Sequence, residues 1–325
     1  SDLMEATKDS PKDATWLIGD YDFNAWNQRE DCWKVEFSRA GNNRYFGDCL
    51  VHGNNGFESW SNGTGAFYQE ITGVPDGVYG LKLQGFYRDG PTSEIGNKYN
   101  QNSEIFRAFY FANEVSAPLM SICNNGVKKP IEEMFPAESH GYFLPGDGDP
   151  SMPYASRSFF EGYYWNDEIL VTVTDGKLRI GVFKDEAVND DWTVFDSFRL
   201  TYYGSDVDVS VLVDNLQNLI DCVENYGGAK PQELLAAYAT AKEVASSTDA
   251  ETLGDAIQNL YDQFFTAKLE ACTTVSGVSG NITWKFNMTT GLLTLSGNGS
   301  MGDHPWTEYK ETIKNVDIVL FLIKA

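Results

Sequence analysis

At 325 residues the chain is longer than one small hydrophobic core organises, so two or three domains are expected. Hydrophobic residues make up 42 % and charged residues 22 %, which excludes a disordered chain. The formal net charge of -23 repels nucleic acid phosphates and anionic membranes and suits neutral ligands, or cations such as calcium.

Residues 1–13 carry six charges and Pro11 and are expected to form a flexible tether. From residue 14 to about 205 the chain reads as strands with frequent Gly, Asn and Asp turns. Pro75-Asp76-Gly77 has turn chemistry, and period-two alternation follows it through Tyr79, Leu81 and Leu83. "EILVTVTDGKLRIGVFK" predicts a hairpin about Asp175-Gly176, and "WTVFDSFRLTYYG" predicts a final strand ending at Gly204. Long polar stretches at 88–104 and 124–157 are expected to be loops that carry binding. Trp16, Trp26, Trp33 and Trp192 lie in strand-like patterns and are expected in the core.

The pattern changes near residue 206. Leu212, Leu216, Leu219, Ile220 and Val223 recur at helical spacing, and Gly227-Gly228 stops the run. Pro231 opens a second helix, and Thr248 with Glu251 has capping-box spacing for a third. Residues 206–272 are therefore expected as a three-helix bundle acting as a spacer. Residues 273–325 return to β: Ile282, Trp284 and Phe286 alternate, and Trp306, Tyr309 and Ile313 have the spacing of one short helix. The apolar run at 316–325 is a strand that would invite pairing with another chain. The expected fold class is mainly β with an α segment: a jelly-roll β-sandwich, a three-helix bundle, and a small C-terminal β unit.

Two stretches carry a family resemblance. "LIGDYDFN" at 17–24, "YQEITGVPDGVYGLKLQGFYR", "YFANEVSAPLMSI", "SFFEGYYWNDEILVTVTDGKLRIGV" and "DWTVFDSFRLTYYG" together resemble the galactose-binding-like jelly rolls of secreted Bacteroidetes proteins, which are related to carbohydrate-binding modules. "SGVSGNITWKFNMTTGLLTLSGNGSMGDHPWTEYKETIKNVDI" is similar to the segment that precedes leucine-rich repeats in BspA-like surface proteins. Here "VLFLIKA" stands where the repeats would begin, so adhesion by a repeat surface is not implied. The resemblance implies an extracellular or cell-surface location after removal of a signal segment. It also implies a structural calcium between the first and last strands, at Asp22 or Asn24 and Asp196. Asn24 stands where many relatives have Glu. The alternative for Asp196 is the capping of a bulge.

Motifs for catalysis are absent: there is no H-E-x-x-H, G-x-x-x-x-G-K-[ST] or G-x-S-x-G. Gly297-Asn298-Gly299-Ser300-Met301-Gly302 spells G-x-G-x-x-G, but His304-Pro305 follows where a nucleotide site needs a helix, so these are read as turn glycines. His52, His140 and His304 sit in apparent loops. The five cysteines (Cys32, Cys49, Cys123, Cys222 and Cys272) contain no C-x-x-C and are read as free thiols; Cys32 and Cys49 are the nearest pair should a bridge exist. No apolar run reaches the roughly 18 residues of a membrane span. The aromatics, 14 % of the chain, fill a core and can also stack sugar rings. Candidate ligand contacts are Phe57, Glu58, Trp60 and Asn62, then Tyr87, Arg88 and Asp89, and the loop tyrosines Tyr99, Tyr142 and Tyr154. The expected function is non-catalytic glycan binding or adhesion, with a glycan or surface protein as partner. The alternatives are a structural envelope or interaction protein that self-associates through 316–325, and a polysaccharide-degrading enzyme.

Overall fold

The computed structural model describes residues 2–24, 29–38, 43–47, 55–61, 63–124, 134–136, 143–145 and 152–320. Up to Tyr202 it carries β1 (Lys12–Asp13), α1 (Arg29–Cys32), β2 (Lys34–Phe37), β3 (Asn43–Gly47), β4 (Asn55–Trp60), β5 (Gly65–Thr72) and β6 (Gly77–Arg88). These are followed by α2 (Thr92–Asn100), β7 (Ala108–Ala112), β8 (Val115–Pro118), β9 (Met134–Pro136), β10 (Phe143–Pro145), α3 (Met152–Phe160), β11 (Ile169–Val173), β12 (Lys177–Lys184) and β13 (Trp192–Tyr202). Two antiparallel sheets stack. The first runs β11-β6-β13-β4-β3, with β1 also on β13; the second runs β2-β5-β12-β7-β8.

Period-two alternation aims one face of each strand inward. Tyr79, Leu81 and Leu83 of β6 and Phe195 and Leu200 of β13 share one buried cluster with Phe67 of β5 and Leu178, Ile180 and Val182 of β12. Its centre is aromatic. Trp33 stacks on Phe67 at 4.7 Å, Phe57 lies 4.6 Å from Phe67, and Phe23 meets Phe67 edge-on at 5.4 Å. Such pairs add roughly 0.5–1.5 kcal/mol each beyond their buried area. The mainly β class and the sandwich expected from the sequence are what the chain forms.

Several local expectations change. Residues 2–13 are not a flexible tether: Leu3 and Ala6 are buried in the sandwich core, and Lys12 and Asp13 pair with Tyr202 and Thr201. That pairing satisfies backbone groups of β13 beyond the reach of β4, which covers only Trp192 to Phe195. The segment about Asp175-Gly176 is not a hairpin. β11 pairs with β6 in the first sheet, whereas β12 pairs with β5 and β7 in the second. The turn instead crosses between sheets beside the Pro75-Asp76-Gly77 turn, where the Gly176 amide donates to Asp76 Oδ1 at 2.9 Å. Gly176 has φ +67, a conformation that favours glycine. Trp33 and Trp192 are buried as expected, Trp16 is exposed, and Trp26 lies outside the described residues.

After the sandwich come α4 (Val209–Asn225), α5 (Gln232–Val244) and α6 (Ala250–Thr273). Asp208 caps α4 by accepting from the Ser210 amide at 2.9 Å. The cap of α6 is Asp249 rather than Thr248: its Oδ2 accepts from the Thr252 amide at 2.8 Å. The helices are not a free-standing spacer. Their inward residues form one cluster with Ala66, Tyr68, Phe111 and Phe183 on the outer face of the second sheet. Phe265 of α6 meets Tyr68 at 5.1 Å and Phe183 at 5.6 Å. The helices thus add a third layer, because that sheet face is apolar and needs a cover.

α6 passes directly into β14 (Thr274–Ser279), which pairs antiparallel with β15 (Ile282–Asn287) and through it with β16 (Leu292–Gly297). β17 (Asn315–Leu320) pairs parallel to β16. Ile282, Trp284, Phe286, Leu293, Leu295 and Trp306 are its core, and the short helix expected near Trp306 is a 3-10 turn, Pro305–Tyr309. Gly297, the last residue of β16, and Gly299, in the bend after it, have positive φ.

One end of the sandwich is held by buried charge. Lys184, at the end of β12, and Asp191, just before β13, are both 0 % exposed and 2.8 Å apart. Asp191 also accepts from the Tyr87 hydroxyl at 3.0 Å and the Val188 amide at 3.3 Å. Burial pulls the Lys184 ammonium below its ordinary pKa, and Asp191 opposes that pull. Removing one partner of a buried pair leaves an uncompensated charge. Lys184→Met should therefore lower unfolding free energy by about 3–5 kcal/mol in urea titrations, and Lys184→Met with Asp191→Leu should recover much of the loss.

Candidate functional site

The first aromatic cluster of the sequence reading is mostly interior. Phe57 is in the sandwich core, and Glu58 is buried with its Oε2 accepting from Trp192 Nε1 at 2.8 Å. Trp60, at the end of β4, is 45 % exposed, and Asn62 lies outside the described residues. Trp60 is thus the one described member open to a ligand.

The second cluster is structural. Tyr87 is fully buried, and burial beside Asp191 raises its phenol well above the usual range. Arg88 donates to Gly90 O at 2.9 Å, Asp190 O at 2.9 Å and Thr92 Oγ1 at 3.1 Å, and its guanidinium lies 5.3 Å from the Trp192 ring. Asp89 accepts from Arg107 at 2.6 Å and from the Ile105 amide at 2.9 Å. These residues tie the start of α2 and the loop after it to the end of β6 rather than meeting a ligand.

The residues expected at the calcium site are Asp22, Asn24 and Asp196. Among the described residues no three His, Cys, Asp or Glu side chains converge as a metal group needs. Asp196 is fully buried, and its Oδ1 accepts from the Ser197 amide at 2.6 Å. Ser197 has φ +54, and the pairing of β13 with β6 shifts register between Asp196 and Arg199. Asp196 therefore caps a β-bulge, the alternative the sequence allowed. Asp22 Oδ1 accepts from the Asn24 amide at 3.3 Å, and Asn24 is exposed.

The stretch 88–104, expected as a loop, instead holds α2, and Tyr99 lies in its last turn beside a cleft. A cleft of about 600 Å³ opens between the C-terminal end of α2 with its following loop and the segment after β8. Tyr99 and Phe106 supply rings; Asn100, Asn102 and Asn124 supply amides; Glu104 supplies a carboxylate. Glu104 Oε1 accepts from Ser121 Oγ at 2.6 Å, which orients it. Burial raises its carboxyl above the ordinary range against the lowering effect of that bond. The other wall is fixed by backbone: Met120 O accepts from the Tyr87 amide at 2.8 Å, and the Met120 amide donates to Asn166 Oδ1 at 2.9 Å. Asn102 turns the chain with φ +50, a conformation Asn tolerates.

Of the predicted ligand residues that are described, only Tyr99 lines this cleft. Tyr154 is half-buried on α3, and Tyr142 lies outside the described residues. Asn102, Glu104 and Asn124 were not singled out, although the run "YNQNSE" is amide-rich. Among the histidines, His304 is exposed and His52 and His140 lie outside the described residues. Cys32, Cys123, Cys222 and Cys272 are free thiols; Cys49 lies outside the described residues. No helix among the described residues is long and apolar enough to cross a membrane.

No family model matches the chain, and no curated protein matches it. Its structural neighbours include carbohydrate-binding modules. One is TmCBM61 in complex with beta-1,4-galactotriose, at 12 % identity and TM-score 0.32, covering 58 % of this chain and 97 % of that one. Another is the CBM51-2 and INT domains of Clostridium perfringens ZmpB, at 12 % identity and TM-score 0.22, covering 89 % of this chain and 59 % of that one. A third is the same pair of domains with GlcNAc bound, at 12 % identity and TM-score 0.19, covering 88 % and 56 %.

The raised carboxyl of Glu104 carries a pH signature. A folded-state pKa above the unfolded one gives stability that is present below the unfolded value, about 4.3, and lost as pH rises through the folded value. Glu104→Gln removes that loss. Urea unfolding should show the variant gaining stability relative to the wild type as pH rises from about 4, the unfolded value, through the raised folded one.

Proposed function

We propose that the chain is a non-catalytic glycan-binding protein and that the cleft beside Tyr99 takes the sugar. The observation that carries this reading is the company Tyr99 keeps: a half-exposed ring with three amides and a carboxylate around one concavity. Pyranose C–H groups stack on such a ring, while planar amides and an acid bond hydroxyls. A volume of about 600 Å³ falls in the usual range of roughly 300–1,000 Å³ for ligand sites. The net charge of -23 favours a neutral sugar over an acidic one. An extracellular or surface location goes with this function. So does a division into sandwich (14–205), helical segment (206–272) and C-terminal β unit (273–325).

A glycan array followed by calorimetry tests it. At least one neutral oligosaccharide should bind, and Tyr99→Ala or Asn102→Ala should weaken it at least about tenfold, or ~1.4 kcal/mol. Absence of binding across plant, host and microbial glycans would overturn the reading, as would hydrolysis of a polysaccharide by the pure protein.

A second reading, an envelope or interaction protein without a sugar ligand, is favoured by β17. Val316 is 50 % exposed and Ile318 66 %, on a strand paired on one side to β16. Such an edge pairs readily with a further strand. If it does so in solution, sedimentation should show concentration-dependent dimers that Ile318→Lys abolishes. A monomer at all concentrations removes this reading.

A further inference from the structure

A second cavity, of about 220 Å³, lies between the helical layer and the second sheet. Phe109 and Phe111 of β7, Phe183 of β12, and Phe264 and Phe265 of α6 make its walls. Cys222 of α4 and Ser116 of β8, both exposed, line its mouth. An engineered apolar cavity of about 150 Å³ holds benzene, so this one has room for a ring with a short tail.

Its charges do not cancel. Lys268 pairs with Asp185 at 3.2 Å and lies over the rings of Phe183 at 4.7 Å and Phe264 at 5.4 Å. That cation and anion offset each other, and Glu114 remains. Glu114 sits in the two-residue turn between β7 and β8, where Asn113 takes φ +44. The turn is held to β12 by the Asn113 side chain, whose Oδ1 accepts from the Arg179 amide at 2.8 Å and whose Nδ2 donates to Lys177 O at 3.1 Å. Glu114 Oε1 accepts from Asn215 of α4 at 3.1 Å, so the carboxylate is fixed from both layers. Among the described residues no Lys, Arg or His side chain forms an ion pair with it. Burial pushes its carboxyl up to about 7, the response of a carboxylate with no cation to offset desolvation.

The geometry points to a binding site for a small organic cation, an ammonium group on an aromatic or short alkyl body, distinct from the cleft beside Tyr99. The ammonium neutralises Glu114, and phenyl faces attract both the cation and its apolar body. A carboxylate ligand would bring a second uncompensated anion beside Glu114. A neutral ligand would leave the desolvation of Glu114 without compensation.

Calorimetry on the full chain at about pH 8, where the Glu114 carboxylate is largely ionised, should compare 2-phenylethylammonium, 2-phenylethanol and phenylacetate. The expected order is ammonium tightest by at least about tenfold over the alcohol, with phenylacetate weakest. Glu114→Gln should abolish that preference while retaining the alcohol. Cys222→Trp, at an exposed position, should block all three without changing the unfolding transition. Equal affinities, tighter binding of phenylacetate, a preference that survives Glu114→Gln, or no binding of the ammonium by the folded wild type would overturn the proposal.

Discussion

The Lys184–Asp191 pair is the constraint from which one end of the molecule follows. Lys184 belongs to the second sheet, and Asp191 leads into the central strand of the first. A lone ammonium could not remain charged between apolar layers, so the carboxylate must arrive with it. Tyr87 adds a hydroxyl from β6 and ties both charges to a third strand. Beyond this knot β6 ends at Arg88, and Asp89 follows it. Their bonds to Gly90, Asp190, Ile105 and Arg107 set the start of α2 and the loop that follows. The cleft beside Tyr99 is shaped by that loop. Residues that looked like ligand contacts therefore place the residues that face the cleft.

The second sheet is governed by a different need. Its outer face carries Ala66, Tyr68, Phe111 and Phe183, which water would not tolerate as a contiguous patch. The helices cover it, and Arg179 stitches the layers together. Its guanidinium lies 4.3 Å from the Phe265 ring and bonds Glu70 at 2.7 Å and Asp262 at 3.3 Å. This cover buries the apolar residues of that face. It also leaves the partly open space at Glu114, where the fit between helices and sheet is incomplete.

Legibility in the sequence varied with the range of the interaction. Tyr99 was singled out as an aromatic in a long polar stretch, and it lines the cleft while packing against a core cluster. Glu58 and Arg88 were misread as ligand contacts because polarity beside aromatics looks the same for a binding site and for a buried bond. Only the position of Trp192 across the sheet distinguishes the two. Asn102 and Glu104 gave a weak signal, an amide-rich run. Asn124 and Ser121 reach the same cleft through an isolated parallel bridge between Tyr87 and Ser121, which no local pattern encodes.

By itself the sequence determined the local conformation of much of the chain. It placed the alternating strands, the helical stripe after residue 206, the turn chemistry at Asp175-Gly176, and an acidic surface that keeps phosphates away. These follow from side-chain period and backbone preference over a few residues. Tertiary structure alone decided which strands pair. A period-two strand has the same two faces beside any neighbour, so β11 and β12, adjacent in sequence, went to opposite sheets once each could bury its apolar side against the other. The same reason turned the expected tether into β1 and the expected spacer into a third layer: unpaired backbone and uncovered apolar surface were waiting elsewhere in the fold.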